Sequence, residues 1–283
     1  MPEWDAWIGR EESRSDQVDA GHAARWLAAL DLPAPAGGVL PQGYHLCVCL
    51  PDTPTGELGE DGHPLRDGSA HSFLPPVPPP RRMWAGSTME FLAPLRIGDP
   101  LSRRSRITSI TEKSGSSGQL VFVDVAHETF GEAGLAVREV QSLVYRDPPA
   151  AGSPPAPPPP GEARFDPAPW REHRSITPSA ALLFRYSALT FNTHRIHYDY
   201  PYVTGIENYR GLIVHGPLIA TLLLQLAQEK LGTNALTRFA FRGLSPAICG
   251  EELHLVMRPE GDAFELAAFA SDGRQVTAAS ASC

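Results

Sequence analysis

Three features of the sequence predict an α+β fold of two modules, each an antiparallel sheet curved around a central helix. A proline-rich segment, residues 147–162, divides the chain and has no means of building a core. Three runs rich in β-branched residues, separated by glycine pairs, precede it, and four antiparallel-type runs follow it. Between the linker and those later runs lies a helical pattern with two adjacent apolar stripes, Leu218, Leu222, Leu226 and Ile219, Leu223. A helix that is apolar on most of its circumference has to be wrapped by a sheet. At 283 residues the chain is long for one core and suits two. The expected division is residues 1–146, a linker at 147–162, and residues 163–283.

In chain order, Ala23, Trp26, Leu27 and Leu30 fall at helical spacing behind Asp19, which suits an N-cap. Tyr44, Leu46, Val48 and Leu50 alternate with His45, Cys47 and Cys49, so residues 41–50 are expected to form a short strand. Residues 51–82 carry a density of proline and glycine that no regular element tolerates, and read as a long ordered loop closed by Arg81-Arg82-Met83-Trp84-Ala85-Gly86. The runs 101–112, 119–130 and 135–146 form a meander in which the middle run, with Val121, Val123 and Val125 on one face, is central; no chemistry stands out in it. After the linker the order repeats, with a helix near the front and strands at 236–244, 251–258, 263–270 and 275–282. The long helix starts at Pro217, a residue favoured in the first turn, and stops at Gly232.

Lys plus Arg number 24 against 32 Asp plus Glu, a net charge of −8 with no basic block interleaved with aromatics, which argues against a nucleic-acid partner. The pairs Arg81-Arg82 and Arg103-Arg104 are local basic spots, either solvated strand ends or contacts for a phosphorylated ligand; they matter only if they face a pocket. Four cysteines show neither a disulfide frame nor a zinc spacing, and suit a reducing compartment. The N-terminus lacks the features of a signal or transit peptide, and the apolar helix after Leu218 soon meets Gln225, Gln228, Glu229 and Lys230. A cytoplasmic protein without a membrane partner is expected.

The chemistry gathers between Tyr186 and Gly216, where Asn192, His194, Arg195, His197, Asp199 and His215 lead to a helix N-terminus. His197 can take and return a proton near neutral pH, or it is a buried histidine that holds the loop. Gly216 can offer its amide to a developing oxyanion, or it only makes the turn into the helix. Asn192 can orient a water or the imidazole but cannot accept a proton, and Asp199 is the nearest carboxylate in sequence. Metal ligation by His194, His197 and Asp199 lacks the usual helical spacing, and no metal is expected. Trp84 beside Arg81 and Arg82 suits a pocket wall or a loop anchor.

The run Thr190-Phe191-Asn192-Thr193-His194-Arg195-Ile196-His197-Tyr198-Asp199, with Leu212-Ile213-Val214-His215-Gly216 after it, resembles the hydratase-2 motif of the MaoC-like enoyl-CoA hydratases and dehydratases, Ser-Gly-Asp-x-Asn-Pro-Leu-His-x-Asp. His197 matches the family's catalytic histidine, and Asn192 stands where the family has an aspartate. The form Phe-Asn-x-His-Arg-Ile-His-Tyr-Asp is similar to that of the branch holding type-2 3-hydroxyacyl-thioester dehydratases and mesaconyl-C4-CoA and itaconyl-CoA hydratases. Trp7-Ile-Gly-Arg-Glu-Glu, Gly62-His-Pro, Phe73-Leu-Pro-Pro and Pro94-Leu-Arg-Ile-Gly-Asp extend the resemblance to the first half.

The resemblance implies a double hot dog whose first domain shapes the acyl and coenzyme A pocket and whose second carries catalysis by Asn192, His197 and Gly216. It implies an acyl-CoA substrate, with coenzyme A part of the substrate and no separate cofactor. Candidate substrate-binding residues are His194, Arg195, Tyr198, His215, Arg81, Arg82 and Trp84, with Arg195, Arg185 or Arg210 the nearest cations in sequence for a free acyl carboxylate. A homodimer is compatible with it. A hot-dog thioesterase and a non-catalytic acyl-CoA-binding protein are the rival classes.

Overall fold

The computed structural model describes residues 4–66, 72–115, 118–150 and 152–283. The first half contributes β1 (Glu11–Gln17), α1 (Ala20–Ala29), β2 (Arg81–Phe91), β3 (Pro100–Gly115), β4 (Gly118–Gly131) and β5 (Gly134–Arg146). The second contributes β6 (Glu172–Ile176), α2 (Ala180–Leu189), α3 (Tyr200–Gly205), α4 (Gly216–Leu231), β7 (Arg238–Gly243), β8 (Leu253–Glu260), β9 (Ala263–Ala270) and β10 (Gln275–Ser282). The ten strands among the described residues join one sheet in the order β1-β3-β4-β5-β2-β7-β10-β9-β8-β6, so the halves repeat one strand order and meet at a β2–β7 seam. Gly86 to Glu90 pair there with Arg242 to Arg238. β4 is flanked by β3 and β5, and Val121, Val123 and Val125 are buried on one face, as the alternation requires.

α4 is the spine of the fold. Residues Leu218 to Ala227 are all buried, and the helix packs against β2, β8 and β9, so strands of both halves wrap it. Gly232, with φ 106°, ends it by donating its N–H to Gln228 O. At the front of each half a side-chain oxygen caps the helix: Asp19 accepts from His22 N in α1, and Ser179 accepts from Leu182 N in α2. These two helices pack on each other.

Three sequence expectations need correction. Residues 41–50 are not a strand: Tyr44–Cys47 form a 3-10 turn, which the chain reaches through Gly43 at φ 102° and leaves through Cys49 at φ 51°. Residues 44–49 are all buried, so the alternation there does not separate an inner from an outer face. A Cβ at Gly43 would stand 3.3 Å from Leu224 and 3.5 Å from Thr221, which puts this turn directly against α4, at the place in the first half's order that α4 holds in the second. Residues 81–86 are not the close of a loop but the start of β2, beside the seam. The short edge strand β6 was not foreseen either.

The expected turn at 115–118 has residues 116 and 117 outside the described residues. The proline-rich loop packs against the first half: Val77 is buried with Ile107, Val121 and Tyr145, and Phe73 and Leu74 lie against them. No helix among the described residues is long and apolar enough to cross a membrane.

Candidate active site

Beyond α2 the chain turns through Phe191, at φ 47°, and Asn192 N–H donates to Ser187 O at 2.9 Å. The Asn192 Oδ1 accepts from His194 N–H at 3.0 Å, a local turn in which the side chain stands in for backbone. One 3-10 turn, Arg195–His197, then points His197 inward. The loop of the first half clamps this segment: Arg195 N–H donates to Asp61 O at 2.9 Å, and Thr193 Oγ1 donates to Gly62 O at 2.6 Å. Gly62 has φ +85°, and a Cβ there would lie 1.9 Å from Thr193 O. Gly62→Ala is therefore expected to cost about 3 kcal/mol, read as a lowered urea midpoint, because neither backbone can give way alone.

His197 is buried, and its Nδ1 donates to Ile213 O at 2.8 Å, so Nε2 is left as the unprotonated nitrogen. Its ring stacks on His215 at 3.6 Å and 18° and meets His194 edge-on at 5.5 Å. His215 is held in turn by Ser187, with Oγ and Nε2 2.9 Å apart. Burial lowers the His197 pKa to about 4, and burial also pushes those of His194 and His215 well down.

Two pH effects follow from the depressed His197 pKa. If Nε2 is the base, kcat/KM should hold from neutral pH down to about 5 and fall as pH drops through about 4, rather than near 6.5; initial-rate profiles check this. Between those two values the unfolded chain binds the proton and the folded one does not. Stability is therefore complete above about 6.5 and is lost as pH falls toward about 4, by roughly 3 kcal/mol for this group, and thermal melts should show it.

Gly216 opens α4 with a main-chain N–H that has no hydrogen-bond partner among the described residues. It faces a cavity of about 930 Å³ that reaches both halves. Asn192, His194, His197 and His215 line this cavity from the second half, and Arg82 and Trp84 from the first. The Trp84 indole is fixed, since Nε1 donates to Gly86 O at 3.1 Å and to Ser87 Oγ at 2.9 Å. Thus the structure brings seven of the ten candidate residues to one cavity.

The other three lie outside the cavity. Arg81 is buried against Glu207, with Nε 2.7 Å from Oε2 and Nη2 2.6 Å from the main-chain oxygen. Arg195 pairs with Asp199 at 2.8 Å, donates to Glu60 O and stacks over Tyr202 at 4.0 Å. Tyr198 is 46% exposed, and its hydroxyl donates to Thr193 O. Asp199 caps α3 through Tyr202 N–H, so it does not supply the proton acceptor that Asn192 lacks. Arg210 is committed to Glu251, and Arg185 is exposed.

The meander does carry polar chemistry, contrary to expectation. Ser87 Oγ donates to Glu139 Oε1 at 2.6 Å, and Glu139, buried on the cavity wall, has its pKa raised by that burial. His127 also lines the cavity, bonded to Ser105 and Gln141. The signal in the sequence was phase: Glu139 alternates in step with Val137, Leu143 and Tyr145, which are buried, while Val140 is 43% exposed. Asp61, His63 and His194 bring three potential metal-ligand atoms within 4.8 Å, but His63 Nδ1 is already bonded to Asp61 Oδ2 at 2.7 Å.

A ten-stranded sheet repeating one strand order around a long shared helix, with an imidazole beside that helix's open N-terminus, defines a double hot-dog protein. Residues 43–249 match the family model for hydroxyacyl-thioester dehydratase type 2, and the chain belongs to that family. It is 43% identical over 275 residues, 96% of this chain and 94% of the relative, to mesaconyl-C(4)-CoA hydratase of Chloroflexus aurantiacus. Among solved structures, HtdX of Mycobacterium tuberculosis matches with a TM-score of 0.67 at 17% identity, over 96% of this chain and 99% of its own. A second M. tuberculosis protein, described as a double hot-dog fold, matches with a TM-score of 0.56 at 16% identity, over 97% of this chain and 95% of its own.

Proposed function

We propose that this protein is a hydro-lyase that reversibly adds water across C2=C3 of a 2-enoyl-CoA thioester, with a branched C5 dicarboxylyl-CoA such as mesaconyl-C4-CoA or itaconyl-CoA as its substrate class. The observation that carries this reading is the pairing, in one cavity, of a neutral imidazole, whose Nδ1 is tied to Ile213 O and whose ring stacks on His215, with the Gly216 N–H that follows His215, unpartnered among the described residues. The relative named mesaconyl-C(4)-CoA hydratase supports the acyl class.

In the hydration direction His197 Nε2 takes a proton from water as the water oxygen bonds to C3. The π pair moves through C2 onto the thioester oxygen, where the Gly216 N–H and the positive end of α4 hold the enolate. The imidazolium then returns its proton to C2. Asn192, with Oδ1 engaged by His194 N–H, has Nδ2 to donate to the water oxygen. An amide moves no proton, so both transfers fall to His197, and its low pKa makes the imidazolium a strong acid for the second. The reaction is redox-neutral and draws on no separate cofactor. The acyl-shaping role falls to the first half and catalysis to the second.

Turnover on crotonyl-CoA, a longer straight-chain enoyl-CoA, mesaconyl-C4-CoA and itaconyl-CoA, with enoyl-thioester absorbance and free thiol followed together, tests the proposal. Loss of absorbance without thiol supports it; thiol release would make the protein a thioesterase, and no reaction on any of them would make it an acyl-CoA-binding protein. A cytoplasmic location, in keeping with four free cysteines, and a homodimer complete the proposal, the latter to be read by light scattering.

A further inference from the structure

Among the described residues five arginines line the cavity, and four are engaged. Arg14 bonds to Asp52 and Leu50 O, Arg66 to Val77 O and Pro79 O, Arg103 to Val48 O and Cys49 O, and Arg146 to Tyr209 Oη. Arg82 is half-buried and has neither a hydrogen-bond nor an ion-pair partner among the described residues. Asp61, whose field it shares, already accepts from the Nδ1 and N–H of His63. A half-buried guanidinium with five donors and no acceptor is incomplete until an anion arrives.

Its position says which anion. Arg82 and Trp84 lie two apart on β2 and so share a face, whereas Arg81 points to Glu207. The Trp84 carbonyl oxygen would be 3.8 Å from a Cβ at Gly216, which puts this part of β2 beside the proposed oxyanion site. The Cα atoms of two strand residues so placed lie roughly 7 Å apart, so the Arg82 stem starts close enough for its guanidinium to reach the far carboxylate of a four-carbon diacid whose thioester oxygen sits at the Gly216 N–H. The Arg82 charge is also felt at His63 and His194, whose ring lies against that of His197.

We propose that Arg82 binds the free carboxylate of the acyl group and so makes the site prefer a diacid monothioester to an uncharged enoyl thioester. This rests on the hydratase reading above. A coenzyme A phosphate presents the same anionic chemistry, and the test separates the two sources.

The measurement is the ratio of kcat/KM for mesaconyl-C4-CoA to that for crotonyl-CoA, in the wild type, Arg82→Met and Arg82→Lys, each checked by thermal melt. The ratio is expected to fall roughly 10²-fold in Arg82→Met, the loss of a charge-assisted pair, with part of it restored in Arg82→Lys. An unchanged ratio overturns the proposal. If both CoA substrates lose equally while the phosphate-free N-acetylcysteamine thioesters lose nothing, the partner is a phosphate and the proposal is overturned. A wild type that hydrates neither substrate ends the hydratase reading instead, and the ratio of dissociation constants for the same two CoA thioesters, by calorimetry on wild type and Arg82→Met, then decides the Arg82 proposal by the same criterion.

Discussion

His197→Ala should lower turnover on a 2-enoyl-CoA by ~10² to 10⁴ while leaving thioester binding within a few-fold. The size is that of a general acid/base group, and several neighbouring groups are already engaged. Asn192 cannot accept a proton, Asp199 caps α3 and pairs with Arg195, and His215 is tied to Ser187 behind the His197 ring. Glu139, the buried acid on the cavity wall, is bonded to Ser87. Turnover close to wild type in a folded His197→Ala would remove the imidazole from the mechanism. Because the side chain also bonds Ile213 O across a buried contact, the variant should melt a few degrees lower, so rates have to be compared well below that transition.

Gly216→Pro should cost about 10² to 10³ in kcat, with a melting temperature that tracks that of Gly216→Ala because both place a Cβ before Pro217. Proline deletes one atom of interest, the amide hydrogen, at a position where the fold does not use it. His215 already has φ −61° and ψ 132°, the extended conformation that a following proline demands, and the first turn of a helix accepts proline. Gly216→Ala is the companion variant: it keeps the N–H, its methyl stands 3.8 Å from Trp84 O, and it shares with the proline variant a Cβ directly before Pro217. A proline variant far slower than the alanine variant would assign the loss to the missing donor. Equal losses in the two would trace it to crowding of the cavity and sink the oxyanion role.

Much of this was legible in the sequence, and what was not has a common cause. α4 could be read because its apolar stripes, first-turn proline and terminal glycine all act within one element. The β3–β5 meander could be read because its alternation is long. Residues 44–49 misled because they are buried on every side under α4, a tertiary fact that a period-two pattern does not encode. The motif around His197 marked the neighbourhood of the site but not which side chains face inward. Arg195 and Tyr198 each sit one place from a residue that lines the cavity and point away from it, as Arg81 does beside Arg82. The chain from Trp84 through Ser87 to Glu139 joins strands whose pairing had to be known first.

The β2–β7 seam also bears on how such a chain can be divided. A Cβ at Gly86 would lie 2.2 Å from Phe241 O, so the two halves are laced together at a point that admits no side chain. Cutting within the proline-rich segment would leave each product with a bare edge strand that had been at the centre of a sheet, and exposed edges invite aggregation. Two separate genes for these halves would be viable only if their products were made together and met before either found another partner.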